Sequence, residues 1–277
     1  MWPKPLKMNL TRILSIVFFV LSLGLAGYLF NSIYTTIQFR EDIKNTETRI
    51  IDKLEVIREA EKVFLEQYGH YTSDWDSLIN FIQTGKVPIT VRTETIIPLS
   101  YGVDSIHVKI DTIDIVPAKD KIFKKTHSVN AQDDFTFLGF MVKVGDYVVR
   151  GTDGYRFRKS TSERVFTYTF LDIGTVSSLA SISPGTEVKK GQNLISFWDY
   201  QLNPNVDVSN LGKVPGSNKK FDIFTGWIDR SGIKVNVIEV TDPDPTNPDR
   251  KDSNEAKNRK PLGFGSRTDV STAGNWE

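Results

Sequence analysis

The chain of 277 residues is 39% hydrophobic and 25% charged, which suits one well-buried domain, or two small ones, plus accessory segments. Its formal net charge of +1 excludes a general electrostatic attraction to nucleic acid, so no nucleic-acid partner is expected. The absence of cysteine excludes disulfide bonds, zinc–thiolate sites, iron–sulfur clusters and a lipidated N-terminal cysteine.

An uncharged run near the N-terminus predicts a membrane-spanning helix. No charged residue occurs from position 13 to position 39, and Arg12 and Arg40 mark the boundaries of this run. About 20 apolar residues cross the hydrocarbon core of a bilayer as a helix, and residues 13–33 meet that requirement. The lipid bilayer is therefore the first expected partner.

The residues before this run predict its orientation. Lys4, Lys7 and Arg12 precede it with no acidic residue among them. Cytoplasmic loops carry an excess of Lys and Arg, so residues 1–12 are expected to form a cytoplasmic tail. The rest of the chain is then expected on the other side of the membrane.

A cleaved signal peptide is the alternative to a permanent anchor. Gly24 and Ala26 are small residues of the kind that precede a signal-peptidase cut. The apolar run nevertheless continues to Tyr34, beyond the usual length of a signal peptide. We therefore expect an uncleaved anchor.

Residues 34–86 are predicted to form an amphipathic neck helix followed by a short helix. Apolar residues recur at helical spacing over residues 40–68, which contain neither Pro nor Gly. Glu47 and Glu61 occupy the two remaining positions of this apolar stripe. We expect the stripe to pack on the protein's own domain, and self-association or partner docking is the alternative. Its interaction candidates are Ile50, Leu54, Ile57 and Phe64, and Ile43 and Tyr68 complete it.

Residues 87–240 are predicted to form a β-rich domain. Ser73 or Asp74 is expected to cap the short helix before it, and the apolar period then changes from near four to two. We count roughly eight to ten short strands and no helical pattern strong enough for βαβ units. The predicted fold class is α+β, with the transmembrane and neck helix leading into a mostly antiparallel sheet, sandwich or small barrel.

Residues 241–277 are predicted to be a Pro/Asp-rich linker and a C-terminal segment. The stretch 241–260 holds one apolar residue other than proline, Ala256, and is expected to be mobile. Read as a calcium loop from Asp242, it has Asn247 where glycine is expected and Ser253 where glutamate is expected. This stretch is therefore interpreted as a solvated linker.

The last residues regain apolar character at Leu262, Phe264 and Trp276. A tryptophan that anchors a contact buries a large apolar surface. We therefore expect the terminus to fold back as an extra strand or to fill a groove. Trp276 is the predicted anchor and a further interaction candidate.

No catalytic, cofactor-binding or metal site is predicted. His70, His107 and His127 are the only histidines, and none is at ligand spacing from another. The sequence contains no P-loop, nucleophile elbow or zinc-protease helix motif. The chain is therefore not expected to be an enzyme or to need a cofactor.

Two segments resemble parts of a known β fold. "VKVGDYVVRG" (142–151) and "EVKKGQNLISF" (187–197) each resemble half of a lipoyl-type barrel, as in periplasmic adaptors of efflux pumps. A helical hairpin usually separates the halves in those adaptors, whereas residues 152–186 are strand-like here.

The N-terminal half resembles type IV pilins and type II secretion pseudopilins. The resemblance lies in the long helix, the segment "AEKVFLEQYGHYTSDWDSLINFI" and the β region after it, over roughly residues 10–120. Pilins carry a processing site with Gly before Phe and a Glu at the fifth mature position. "KMNLTRILSIV" supplies neither, which argues against processing and filament assembly.

The whole chain resembles a family of uncharacterised single-pass envelope proteins of Gram-negative bacteria. The matching parts are "IREAEKVFLEQYGHYTSDWDSLINFIQTGKVPI" and the terminal "NRKPLGFGS" and "AGNWE". The resemblance implies an inner-membrane anchor with a periplasmic C-terminal domain, and it implies no reaction.

Three functions are open at this point. The first is a membrane-anchored structural or protein-interaction component of the cell envelope, with an envelope protein or a second copy as its partner. The second is a pseudopilin-like subunit of a secretion or pilus machine. The third is a carbohydrate-binding or enzymatic periplasmic domain, suggested only by the aromatic residues Trp198, Tyr200 and Trp227.

Overall fold

A single helix of 59 residues, α1 (Leu10–Tyr68), begins the structure. The computed structural model describes residues 10–98, 104–159, 162–251 and 260–277. From Leu14 to Asn45 the helix contributes no buried side chain, and its first apolar part is long enough to cross a membrane. The chain is thus α+β, with a long apolar N-terminal helix followed by a mostly antiparallel β domain.

The neck, residues 46–64 of α1, is buried along one side. Ile50, Leu54, Ile57 and Phe64 of the predicted stripe are all buried. Ile43 is half-buried and Tyr68 is exposed, so contact with the domain covers the middle of the stripe but not its ends. The expected packing of the neck on the protein's own domain is confirmed.

The neck lies in the first of two hydrophobic cores. Asp74 caps the next helix, since its carboxylate accepts hydrogen bonds from the N–H groups of Asp76 and Ser77. A three-stranded antiparallel sheet in the order β11-β12-β13 also contributes to this core. The elements around the neck are α2 (Trp75–Thr84), α3 (Ala118–Phe123), a short 3-10 helix (Val208–Asn210), β11 (Asp222–Arg230), β12 (Ile233–Thr241) and β13 (Gly263–Gly265).

A long hairpin connects α2 to α3. It consists of β1 (Lys86–Pro98) and β2 (Asp104–Pro117), paired antiparallel from Lys86 opposite Pro117 to Pro98 opposite Asp104. Its base packs on α3, and in the described chain neither strand pairs with any other.

A second core lies inside an eight-strand sandwich, which follows α3. Two four-stranded sheets enclose it, in the orders β3-β10-β8-β5 and β7-β6-β4-β9, and every strand pair is antiparallel. The strands are β3 (Lys124–Asn130), β4 (Phe135–Phe140), β5 (Tyr147–Val148), β6 (Asp153–Lys159), β7 (Val165–Thr169), β8 (Gly174–Leu179), β9 (Glu187–Val188) and β10 (Asn193–Tyr200).

The sandwich is built from two equivalent halves. β3, β4, β5 and β6 correspond to β7, β8, β9 and β10, in that order. Exchanging every strand for its counterpart converts the strand order of one sheet into that of the other. The turns match as well: Gly145 donates its N–H to the carbonyl of Val176 at 2.8 Å, and Gly185 donates to that of Phe137 at 2.7 Å. Both glycines have positive φ, 94° and 91°, which side chains with a Cβ adopt rarely.

The two halves therefore share turn hydrogen bonds and strand pairing at matching positions. Residues 142–157 correspond to residues 182–197, and residues 131–137 correspond to residues 170–176. The two segments that resemble halves of a lipoyl-type barrel overlap in this correspondence, since residues 147–151 match residues 187–191. Three strands, β6, β7 and β8, lie between the two segments in place of a helical hairpin.

The structure corrects two expectations about the β region. The described part of the chain contains thirteen strands, more than the number expected, because several strands are only two or three residues long. Residues 87–240 also do not form one β core, since they are divided between the neck core and the sandwich core.

The prediction of a mobile linker is wrong for residues 241–251. Asp242 is buried, and its N–H donates to the carbonyl of Leu262 at 2.8 Å. Asn247 and Arg250 donate to Oε1 of Glu47, at 2.9 and 2.6 Å. Polar contacts with the neck thus order a segment that has little apolar surface of its own. Residues 252–259 of the predicted linker lie outside the described residues.

The terminus returns to the domain as expected. Leu262 and Phe264 are buried in the neck core, and β13 adds a strand to β12. Trp276 is half-buried and packs against the same core. The terminus therefore both extends a sheet and covers the neck.

Candidate functional site

The membrane segment is the first candidate functional region. Its apolar side chains face away from every described part of the chain, as a lipid-facing helix requires. Arg40 is exposed at its C-terminal boundary, whereas the side chain of Arg12 and all of residues 1–9 lie outside the described residues. The helix therefore fits a membrane anchor.

The interaction candidates of the sequence meet in one place. Ile50, Leu54, Ile57 and Phe64 are buried in the neck core, and Trp276 packs against it. These side chains stabilise the fold and present little surface to a partner.

The Trp276 ring is held by a cation on the neck. The guanidinium of Arg58 lies 5.6 Å from the centre of the ring and also forms an ion pair with Glu277. The hydrogen bond from Arg58 lowers the pKa of the Glu277 carboxyl. Trp276 and Glu277 thus both contact Arg58, in the middle of the neck.

Glu61 is a buried carboxyl on the neck. One of its oxygens accepts the N–H of Thr72 at 3.0 Å, and the other has no hydrogen-bond partner among the residues that the structure describes. Burial raises the pKa of Glu61 to about 8, so the protonated form predominates at neutral pH. No described His, Lys or Arg forms an ion pair with it, so Glu61 is a buried polar group of the neck without a charged partner in the described part of the chain.

A cleft of about 580 Å³ separates the neck from the loop of residues 203–218. The Lys53 ammonium donates to the carbonyls of Asn210 and Lys213, and Asp52 accepts from Asn203 at 2.8 Å. These polar groups satisfy one another across the cleft, and none of the described side chains that line it is aromatic. The cleft is better explained as the junction of two elements than as a ligand site.

No group of three or more potential metal-ligating side chains occurs in the described ranges. His70 stacks on Phe64 and His127 on Phe197, while the side chain of His107 lies outside the described residues. The two described histidines thus make packing contacts.

The aromatic residues that suggested sugar binding are partly covered by cations. The ammonium of Lys124 lies 4.3 Å from the centre of the Trp198 ring, and that of Lys234 lies 4.1 Å from that of Trp227. Tyr200 packs edge-on against Trp198. Each tryptophan therefore has one face occupied, which weakens the case for a sugar-stacking platform.

The strongest candidate surface lies at one end of the sandwich. Five apolar side chains there are 44–65% exposed, and we call this group the apolar end. Tyr147 and Val148 of β5 lie opposite Thr175 and Gly174 of β8, so Val149 comes next to Ile173. The members of the apolar end are Val144, Tyr147, Val149, Leu171 and Ile173.

The equivalent positions of the other half carry polar side chains, with the exception of Pro184. Lys189 reaches Oε1 of Glu187 at 3.0 Å and Oδ2 of Asp134 at 3.4 Å, so these three side chains form an ion-pair network. A hydrogen bond from the N–H of Lys190 lowers the pKa of Asp134. We call the five residues that are equivalent to the apolar end the polar end. They are Gln132, Asp134, Pro184, Glu187 and Lys189.

Comparison of the two ends shows what the fold itself requires. Ile173, Val149 and Tyr147 stand where the other half has Asp134, Lys189 and Glu187. Because strand pairing and turn hydrogen bonds match at both ends, the sandwich forms with charged residues at these positions of the polar end. The exposed apolar residues are therefore not needed to form the fold.

Sequence reasoning missed this surface, although a signal was present. The two turns share the pattern Gly-x-x-Val-x-x-Gly at residues 145–151 and 185–191. Aligning them shows Tyr147 against Glu187 and Val149 against Lys189. The shared residues of the pattern indicate the fold, and its variable positions distinguish the two ends.

No protein-family model matches the chain, and no curated protein matches its sequence.

Proposed function

We propose that this protein is a single-pass membrane component of the cell envelope that binds another protein chain through the apolar end of its sandwich. In this proposal the anchor lies in the inner membrane, with residues 1–12 in the cytoplasm and the β domain in the periplasm. The charge pattern of Lys4, Lys7 and Arg12 supports this orientation.

One observation carries the proposal: the apolar end differs from the polar end in its side chains, while the strand pairing and turn hydrogen bonds of the two ends match. Charged neighbours of both signs, Lys143, Arg150 and Asp172, flank the apolar residues in the chain. An apolar centre with a polar rim is the composition of a protein–protein contact. A membrane-binding surface would instead be rich in basic residues.

The neck supports a positioning role. Because α1 is continuous and its residues 46–64 are packed into the domain, the membrane helix and the domain are joined without a flexible linker. The helix rises about 20 Å between residue 33 and Thr46, its first buried residue. The anchor therefore sets the height at which the domain stands above the bilayer.

The orientation is tested by fusing a reporter that is active only in the periplasm. We expect activity when the reporter follows residue 277 and none when it follows residue 11. Val20→Arg should impair insertion, at a cost of about 2.5–3.5 kcal/mol. The reverse pattern of reporter activity would refute the orientation.

Partner binding is tested by photo-crosslinking in intact membranes. A photoreactive amino acid at position 171, in the apolar end, should form an adduct with a protein. The same probe at position 132, the equivalent position of the polar end, is the matched control and should form none. Equal labelling at both positions, or none at either, would show that the apolar end is not a binding surface.

A filament or secretion-machine subunit is the second candidate. The N-terminal part of α1 has no buried side chain, and its C-terminal part packs into the domain. This arrangement resembles the layout of pilin subunits. N-terminal cleavage and methylation, measured by mass spectrometry of the purified protein, would support this candidate over the first.

A further inference from the structure

We propose that a cleft at the side of the sandwich, between β7 and the end of β3, binds one ring of a neutral saccharide. The inference goes beyond the proposed function, because the cleft takes a small ligand and needs no protein partner. Leu171 of the apolar end lines the cleft as well, so the two sites are neighbours.

The cleft combines aromatic rings with polar side chains. Its volume is about 310 Å³, at the lower end of the range for small-ligand pockets. The rings of Phe135, Tyr155 and Tyr168 form a stack in which successive centres lie 5.8 and 5.0 Å apart. Asn130, Gln132, Asp133 and Lys159 are among the polar side chains that line the cleft. A sugar ring, with apolar C–H faces and a rim of hydroxyl groups, matches this combination.

The two tyrosines of the cleft carry hydroxyl groups that the fold leaves without a partner. Tyr155 is only 4% exposed, yet its hydroxyl forms no hydrogen bond with any residue that the structure describes. The hydroxyl of Tyr168, which is half-buried, also has no partner in the described ranges. A buried tyrosine hydroxyl usually finds a hydrogen-bond partner, because leaving it unpaired destabilises the fold.

Both hydroxyls are available as donors at neutral pH. Burial raises the pKa of Tyr155 to about 12, and it raises the pKa of Tyr168 as well. The two groups therefore stay protonated and can each donate to an oxygen of a bound ligand.

The other half of the sandwich shows that the fold does not require these hydroxyls. Tyr155 of β6 lies opposite Tyr168 of β7, and the equivalent pair is Ile195 of β10 opposite Val129 of β3. Both of these aliphatic residues are buried. Because the second half forms the same pairing with aliphatic side chains, the tyrosine pair is a feature of the cleft and not of the fold.

The charges at the cleft favour an uncharged ligand. Nζ of Lys159 lies 3.0 Å from Oδ2 of Asp133, so the two charges compensate each other. Each side chain keeps further hydrogen-bonding capacity, and the amides of Asn130 and Gln132 supply both donors and acceptors. Hydroxyl groups of a sugar also act as both donor and acceptor. This polar lining therefore favours a polyol ring over a purely apolar ring compound.

Binding is measured on the full-length chain in a detergent without a sugar headgroup, since an alkyl maltoside would compete for the cleft. The probes are glucose, N-acetylglucosamine, cellotriose and triacetylchitotriose, titrated with saturation-transfer NMR. We expect at least one of these sugars to bind. A trisaccharide that binds at least tenfold more tightly than its monosaccharide would indicate a glycan chain as the source of the ligand, whereas equal affinity would indicate a free sugar.

The variant that tests the cleft copies the equivalent pair of the other half. Tyr155→Ile and Tyr168→Val are combined, and the sugar should bind at least tenfold more weakly while the melting temperature stays close to that of the parent. If this variant fails to fold, Tyr155→Phe with Tyr168→Phe removes only the hydroxyls and should weaken binding at least threefold. Trp227→Ala, which removes an exposed ring outside the cleft, is the control and should leave binding unchanged.

Three results would overturn the inference. The first is that none of the four sugars binds the parent. The second is equal binding by the parent and the tyrosine variants. The third is loss of binding in Trp227→Ala but not in the tyrosine variants, which would place the sugar elsewhere. Since the purified chain is measured without another protein, the result is independent of crosslinking at the apolar end.

Discussion

Nε of Arg250 lies 2.6 Å from Oε1 of Glu47, although the two residues are 203 positions apart in the chain. Asn247 donates to the same oxygen at 2.9 Å. Glu47 interrupts the apolar stripe of the neck, and the contact explains the interruption, because this carboxylate fastens the Pro/Asp-rich segment to the helix. Arg250 also donates to the carbonyl of Lys260 at 3.0 Å, which brings the two ends of residues 251–260 together.

Removing this contact should loosen the C-terminal part of the chain. Arg250→Ala leaves the half-buried carboxylate of Glu47 with Asn247 as its remaining partner, which should cost about 1–2 kcal/mol of unfolding free energy. Limited proteolysis should cut residues 241–260 faster in this variant than in the parent. Lys251→Ala, at an exposed neighbouring position, is the control. Equal cleavage rates of the two variants would contradict the assigned role of Arg250.

The neck should be a major source of domain stability. Leu54 is fully buried at the centre of the neck core, so Leu54→Ala should lower the unfolding free energy by about 2–5 kcal/mol. Chemical denaturation of the protein in detergent measures the change. Thr48→Ala, at an exposed position of the same helix, should change it by less than about 0.5 kcal/mol. A small effect of Leu54→Ala would mean that the neck separates from the domain in solution.

Glu61 should make the stability depend on pH. Its pKa is about 8 in the folded chain against an ordinary value of 4.5, so the folded chain holds a proton that the unfolded chain releases. The contribution of Glu61 is therefore most favourable below pH 4.5, falls as the pH rises from 4.5 to about 8, and is constant above that. Glu61→Gln removes this dependence, and its amide oxygen can still accept the N–H of Thr72.

The Gln variant should be more stable than the parent at pH 7, by up to ~3 kcal/mol, and should lose this advantage near pH 4. Thermal melts of both proteins between pH 4 and pH 8.5 measure the difference. Glu66→Gln, at an exposed position on the same helix, should leave the pH profile unchanged. Parallel profiles for the parent and Glu61→Gln would show that Glu61 is ionised in the folded chain.

The C-terminal segment should contribute to the melting temperature. Deleting residues 261–277 removes the buried Leu262 and Phe264 and the strand that pairs with β12, so the melting temperature should fall. Trp276→Ala should cause a smaller fall, because its ring is only half-buried over Arg58. Val270→Ala, at an exposed position of the same segment, is the control. A truncated chain that melts at the temperature of the parent would disprove docking of the terminus.

Local pattern was sufficient for the elements that depend on neighbouring residues. An uncharged run predicted the membrane helix, since crossing a bilayer requires only length and apolar character. The helical spacing of Ile50, Leu54, Ile57 and Phe64 predicted the buried side of the neck. Asp74 was one of two predicted caps because an N-cap acts on N–H groups two and three residues away.

Tertiary structure alone decided the features that depend on residues far apart in the chain. Composition predicted a mobile linker at residues 241–251, but Glu47 orders it through polar contacts that composition does not reveal. The burial of Glu61, which has no charged partner among the described residues, depends on α2 and on the residues before it, which close over the neck. The apolar and polar ends became comparable only once hydrogen bonds showed which positions of the two halves are equivalent. Period and propensity act over a few residues, whereas burial and pairing in this domain join segments up to about two hundred residues apart.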